Sequence, residues 1–274
     1  MATLRAGFVG LGDQGEPMAV RIARAGIPLT VWARRRAAAN TCAAAGAAVA
    51  PDLAALGAAS DALGVCVFSD EDVISVCEAV LPSMAAGSVL LIHSTVRPQT
   101  CQYVAARAAE RGIGVLDAPV SGGGARARAA RLTVMVGGDE DLLETVRPIV
   151  ETYAGLIVHL GGIGSGQLAK IINNNLMAAN LGLVHLAVDA GERLGLDRDS
   201  LHRVVGSSSG NSRAHELYAM GPMATTFPRG SRLLSKDVSL LARIAADEGL
   251  ALAEVRAAGE VFLRALDEAV RPGS

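Results

Sequence analysis

A chain of 274 residues, 51% of them apolar, is long enough for two domains and can bury a sizeable core. Its 25 basic residues nearly balance 27 acidic ones. This excludes the cationic footprint of a nucleic-acid or anionic-membrane binder and leaves a small molecule as the expected partner.

From Leu4 to about His159, short apolar runs alternate with longer helical stretches, the pattern of stacked βαβ units and a mostly parallel sheet. Strands are expected at Arg5 to Val9, Leu29 to Ala33, Leu63 to Phe68, Ser88 to His93, Gly114 to Leu116, Leu132 to Val136 and Leu156 to Leu160. The opening apolar run is interrupted at Gly10, Gly12 and Asp13, too early for a secretory leader. Cys42, Cys66, Cys77 and Cys101 lie far apart and form no CxxC, so they read as reduced core thiols of a cytoplasmic protein. Ser69, followed three residues later by Asp72, resembles an N-cap opening a helix toward Leu81.

The texture changes after "GGIGSG" (161 to 166). From Gln167 to Leu194 no proline intervenes and apolar positions recur at helical spacing, predicting a helix of roughly 28 residues and about 42 Å. Its run Ile171 to Val188 is long enough to cross a bilayer, but Asn173, Asn174, Asn175, Asn180 and His185 are costly in hydrocarbon. A buried helix of a soluble protein is therefore expected. The remainder also reads as helix, with breaks near Gly206 to Gly210 and Gly221 to Gly230. The expected fold is α/β: a mostly parallel sheet domain over 1–163, followed by an all-helical domain over 164–274. So long and apolar a helix exceeds what its own short domain covers, so a second subunit is expected to pack on it as a homodimer or higher homo-oligomer.

Two stretches near the N-terminus carry chemistry. In "GFVGLGDQGEPMA" (7 to 19), Gly10, Gly12 and Gly15 follow an expected strand and open a helix. Gly10 fits the tight turn, Gly12 the approach of a pyrophosphate, and Gly15 close helix packing, as in a dinucleotide-binding Rossmann unit. The first N–H groups of the helix suit a phosphate. About twenty residues on, where a carboxylate would bind an adenosine ribose, stands "VWARRR". Ala33 occupies the acid's place, and Arg34 and Arg35 offer guanidinium groups to a 2′-phosphate, which predicts NADP over NAD.

Three further stretches, "HSTVRP" (93 to 98), "DAPVSGGGARARAARLTVMVGGD" (117 to 139) and "GSGQLAKIINNNL" (164 to 176), precede "KDVSLL" (236 to 241). Together with the glycine loop they resemble the β-hydroxyacid dehydrogenase family, within the 6-phosphogluconate dehydrogenase superfamily, over nearly the whole chain. The resemblance implies that Ser94 and Thr95 contact the nicotinamide end of the cofactor, and that Ser121, Gly122 and Gly123 hold the substrate carboxylate in an anion-binding nest. It implies catalysis by Lys170 and Asn174, four residues apart on one helix face. It also implies that Lys236 closes over nicotinamide and substrate, and that Leu11, Asp13, Gln14 and Phe68 complete the cofactor set. Two positions depart from the pattern: His93 stands where an acid is usual, and Ala130 where glycine is usual. Arg126, Arg128 and Arg131 make the glycine-run loop unusually basic.

A free lysine titrates near ~10.4; burial and a neighbouring cation such as Lys236 would lower that value toward the range useful for proton transfer. The implied activity is hydride transfer between nicotinamide and a small 3-hydroxy acid or its semialdehyde, with Lys170 as general acid and base. An imine reductase on the same scaffold, which generally lacks this lysine, and a non-catalytic NADP-binding protein are the rival readings. The five histidines show no metal spacing and no GxSxG is present, so no metal site or serine nucleophile is expected.

Overall fold

The computed structural model describes residues 4–227 and 230–270. By compactness the chain forms two units, Met1–Lys170 and Ile171–Ser274.

In the first unit the strands are β1 (Ala6–Val9), β2 (Leu29–Trp32), β3 (Ala48–Val49), β4 (Ala62–Val65), β5 (Val89–Ile92), β6 (Gly114–Asp117), β7 (Val120–Ser121), β8 (Leu132–Val136) and β9 (Ala154–His159). The helices between them are α1 (Gly15–Arg24), α2 (Asn40–Ala44), α3 (Leu53–Ala58), α4 (Asp70–Val80), α5 (Pro98–Ala109), α6 (Gly123–Arg128) and α7 (Glu140–Val150). Six strands pair in parallel in the order β3-β2-β1-β4-β5-β6. β1, β4 and β5 are buried along their whole length, as a parallel sheet covered on both faces requires. One apolar cluster centres on Phe8, Met18, Leu116 and Val134, the other on Val65, Val73, Leu90 and Ile92. The order reverses between β1 and β4, and a ligand crevice is expected there, outside the carboxyl ends of the strands.

β7, β8 and β9 form a second small sheet, β7 antiparallel to β8 and β8 parallel to β9. β3 and β7, of two residues each, have no counterpart among the expected strands. The expected strand Leu63 to Phe68 ends instead at Val65, because the Val67 N–H bonds the Ser94 hydroxyl rather than a neighbouring strand. Phe68 therefore lies beyond the strand. Ser69 caps α4 in a capping box with Asp72, as its spacing predicts.

The long helix, α8 (Ser165–Arg193), starts two residues before the expected Gln167. The buried Asp117 carboxylate accepts the N–H groups of Gly164 (2.6 Å) and Gln167 (2.7 Å), satisfying orphan donors of its first turn. By compactness the first turns of α8, through Lys170, go with the first unit. The second unit continues with α9 (Arg198–Gly206), α10 (Arg213–Tyr218), α11 (Met223–Thr226), α12 (Gly230–Glu248) and α13 (Ala253–Val270). Leu181, Val188, Tyr218, Phe262 and Leu266 form its main core.

Candidate active site

The glycine loop leaves β1 at the point where the strand order reverses. Gly10 has φ +96°, and a Cβ there would overlap the Cys66 carbonyl, so this turn needs glycine. A Cβ on Gly15 would overlap the Gly10 carbonyl, which fixes how closely α1 returns over the strand. Gly12 faces open space, with no atom within 4 Å of its Cβ position. Gln14, the N-cap of α1, makes no side-chain cap hydrogen bond. The helix therefore turns its N-terminus and an open backbone surface outward, an arrangement that fits a pyrophosphate. Leu11 and Gln14 are half-buried, and Asp13 is exposed.

Beyond β2, Ala33 is followed by Arg34, whose side chain is 81% exposed and only 3.9 Å from Asp72, and by Arg35, which leads into a 3₁₀ turn. Both guanidinium groups stand clear of the core at a strand end. Past β4, Phe68 is half-buried.

After β5 the chain runs His93, Ser94, Thr95. Ser94 is buried and its hydroxyl accepts from Val67 (2.8 Å), while Thr95 is half-buried. His93 lies in the core, stacked on Phe8, with Nδ1 2.7 Å from the Ala118 carbonyl and Nε2 3.3 Å from the Tyr153 hydroxyl. Nδ1 thus donates to the carbonyl and Nε2 accepts from the phenol. Burial pushes its pKa down to about 4, partly opposed by the Ala118 bond, so the ring is neutral at neutral pH. His93 fills the usual acid's place as a core residue.

Ser121 ends β7, and Gly122 (φ +134°) and Gly123 (φ +70°) turn the chain into α6. Arg126 and Arg128 lie on that helix, not in a loop. A Cβ on Gly124 would overlap the Asp13 carbonyl. The glycine run therefore lies directly against the β1–α1 loop.

On α8, Lys170 is buried, at 7% exposure, and Asn174 half-buried one turn later. The Asn174 amide donates to Asp237 (2.6 Å) and accepts from Asn173 (3.1 Å). Asn175, off that face, donates to the Ile171 and Asp237 carbonyls. Lys236 lies 3.9 Å from the same Asp237 carboxylate, which is buried. Within the second unit Asp237 thus joins Asn174 to Lys236, a link the "KD" pair does not reveal in sequence. Gln167 and Asp117 also hold this region together, although nothing in the GSGQLAK and DAPVSGGG stretches singles them out in sequence.

Cys42 is pushed up to about 11 and Cys66 and Cys77 to about 12, while Cys101 is raised further, in each case chiefly by burial, so none supplies a thiolate. Among the described residues no three His, Cys, Asp or Glu side chains are grouped to hold a metal.

Residues 5–161 match the family described as the NAD binding domain of 6-phosphogluconate dehydrogenase, and residues 164–272 that described as NAD-binding of NADP-dependent 3-hydroxyisobutyrate dehydrogenase. The chain belongs to the β-hydroxyacid dehydrogenase family. This dehydrogenase is 36% identical over 219 residues to 2-(hydroxymethyl)glutarate dehydrogenase of Eubacterium barkeri, covering 78% of this chain and 72% of the relative. It is 35% identical over 245 residues to the NAD-dependent L-serine dehydrogenase of Pseudomonas aeruginosa, covering 85% and 82%. The structure of 3-hydroxyisobutyrate dehydrogenase with L-serine from Mycobacterium tuberculosis superposes with a TM-score of 0.87 at 30% identity, covering 98% of this chain and 96% of that one.

Proposed function

We propose that this β-hydroxyacid dehydrogenase oxidises the primary alcohol of a small 3-hydroxy acid, or reduces the matching semialdehyde, using NADP. The observation that carries the reading is Lys170, a buried lysine one helical turn before a tethered amide in a chain of this family. The names of the relatives support the substrate class: L-serine, 3-hydroxyisobutyrate and 2-(hydroxymethyl)glutarate all bear a hydroxymethyl group next to the carbon carrying a carboxylate.

When bound, the nicotinamide supplies the hydride acceptor or donor. Gly12 and the N-terminus of α1 take the pyrophosphate on a turn that Gly10 and Gly15 shape, Arg34 and Arg35 take the 2′-phosphate, and Phe68, Thr95 and Lys236 border the nicotinamide end. Ser121, Gly122 and Gly123 hold the substrate carboxylate and bring its β-carbon to hydride distance. Lys170 takes the hydroxyl proton in oxidation and returns it in reduction, and Asn174 orients lysine or substrate.

The test is a steady-state screen of 3-hydroxyisobutyrate, L-serine and glycerate with NADP and NAD, followed by absorbance of the reduced nicotinamide. Lys170→Ala is expected to lose roughly 10² to 10⁴ in turnover while cofactor affinity survives, and Lys170→Arg nearly as much, since a guanidinium keeps its proton. Replacing Arg34 and Arg35 by Ala should cost about 1.5 to 3 kcal/mol of NADP binding per lost charged contact and leave NAD nearly unchanged. A fully active Lys170→Ala enzyme, or equal use of both cofactors by the unmodified one, counts against the respective part of the reading.

A further inference from the structure

Gln167 is a fully buried amide in the first turn of α8. Its Oε1 accepts the Val96 N–H (3.0 Å) and its Nε2 donates to the Ser94 carbonyl (2.9 Å). One side chain thus closes on the backbone on both sides of Thr95, as an adjacent strand would. The other end of the clamp is equally fixed, because the Gln167 N–H donates to Asp117 at the end of β6. The loop is held from below as well, by the Val67 N–H on the Ser94 hydroxyl. A buried amide with both polar atoms satisfied stabilises one arrangement, and leaving either partner unpaired is costly.

The placement has a consequence for chemistry. Gln167 is three residues before Lys170 on a continuous helix, so the clamp ties the backbone around Thr95 to the helix turn that carries the lysine. Every bond of the clamp is made within the first unit. We propose that Gln167, seated by Asp117, is the positioning residue that sets the nicotinamide-side loop at Thr95 relative to Lys170. This rests on the roles given above to Thr95 and Lys170. Gln167 touches neither substrate nor cofactor in this scheme; it acts through the Ser94–Val96 backbone.

Three variants of the protein test it. Gln167→Met keeps the volume and removes both hydrogen bonds. With 3-hydroxyisobutyrate or L-serine, whichever the enzyme turns over, kcat should fall about 10²-fold, the scale of a small misplacement of reacting groups. NADPH affinity, held by the glycine loop and arginines, should stay within about threefold. Independently of activity, hydrogen exchange in the cofactor-free protein should quicken at Val96 while β1 and β4 keep their protection. Gln167→Glu keeps the acceptor for Val96 but donates to Ser94 only when protonated, so its turnover relative to the unmodified enzyme should rise as pH falls. Gln167→Asn, one methylene shorter, should fail to rescue.

A Gln167→Met enzyme with kcat within twofold of normal and Val96 still protected overturns the proposal. So does parallel loss of kcat, NADPH affinity and thermal stability, which would make the residue merely structural. Lys170→Ala is run alongside. If it keeps full turnover, the assignment of the lysine fails, whereas a dead Lys170→Ala beside a normal Gln167→Met refutes the clamp alone.

Discussion

Ala130 has φ +54°, the left-handed region that favours glycine, at the end of α6 where its N–H closes on the Ala127 carbonyl. That conformation gives a physical reason for the glycine that the family resemblance leads one to expect at this position. Placing alanine there costs about 1 to 2 kcal/mol, and glycine returns part of that through the greater freedom of its unfolded chain. Ala130→Gly should therefore stabilise the protein by about 0.5 to 1 kcal/mol, a rise of a few degrees in Tm by calorimetry. No change or a fall would show that the strain is relieved elsewhere. His93 makes the opposite kind of prediction. Its folded pKa of about 4 lies below the ordinary ~6.5, so between those values the unfolded chain binds a proton that the folded one refuses. The stability from the neutral ring is complete above about pH 6.5 and is lost as pH falls toward 4, about 3 kcal/mol in all. Urea unfolding at pH 7 and 4.5 should show His93→Gln losing about 2 to 3 kcal/mol less than the unmodified protein over that interval; equal losses would exclude the mechanism. Both departures were visible in sequence, but the buried partners were not. Asp117 and Gln167 are 50 residues apart, Gln167 and Ser94 73, and Asn174 and Asp237 63, and no local pattern encodes such pairings.

Among elements, legibility followed length and environment. β1, β4 and β5 are uninterrupted apolar runs because both faces of a parallel sheet are covered, and α8 announces itself by sheer length. β3 and β7 are two residues each, too short for any periodicity, and exist because neighbours offer backbone partners. The β1–α1 unit shows how much a motif can specify: its three glycines serve three different physical purposes, and two variants separate them. Gly12→Ala adds a methyl to open space, so the cofactor-free protein should keep its Tm within a degree or two while NADPH affinity falls by about tenfold or more. Gly15→Ala drives a methyl into the Gly10 carbonyl and should lower Tm before any cofactor is added. Thermal unfolding without cofactor and fluorescence titration with NADPH distinguish the two. Equal destabilisation by both would mean that Gly12 also serves packing and that the cradle was misassigned.

At the scale of the whole molecule, α8 poses the remaining physical problem. Ile172, Leu176, Leu183 and Leu186 are 48% to 58% exposed, and at 100° per residue they fall within an arc of about 80°. Lys170 and Asn174 project from the other side of the same helix, about 160° away from Ile172 in either sense. Four large apolar side chains in one stripe are unusual on a soluble monomer and mark a surface that another element covers. The helix is also long and apolar enough to cross a membrane by length and composition, but Asn173, Asn174 and Asn175 interrupt it. A second copy of the chain is the occupant favoured here, since an isologous pairing lets one stripe cover its twin and leaves Lys170 and Asn174 on the opposite face. Light scattering in solution should then give a mass of twice 28.0 kDa. Replacing Ile172 and Leu176 by Glu should yield a monomer that still binds NADPH, because the glycine loop and arginines belong to the first unit. A native mass of one chain at micromolar concentration would show that the stripe has another partner, and a dimer unaffected by the double substitution would place the interface elsewhere.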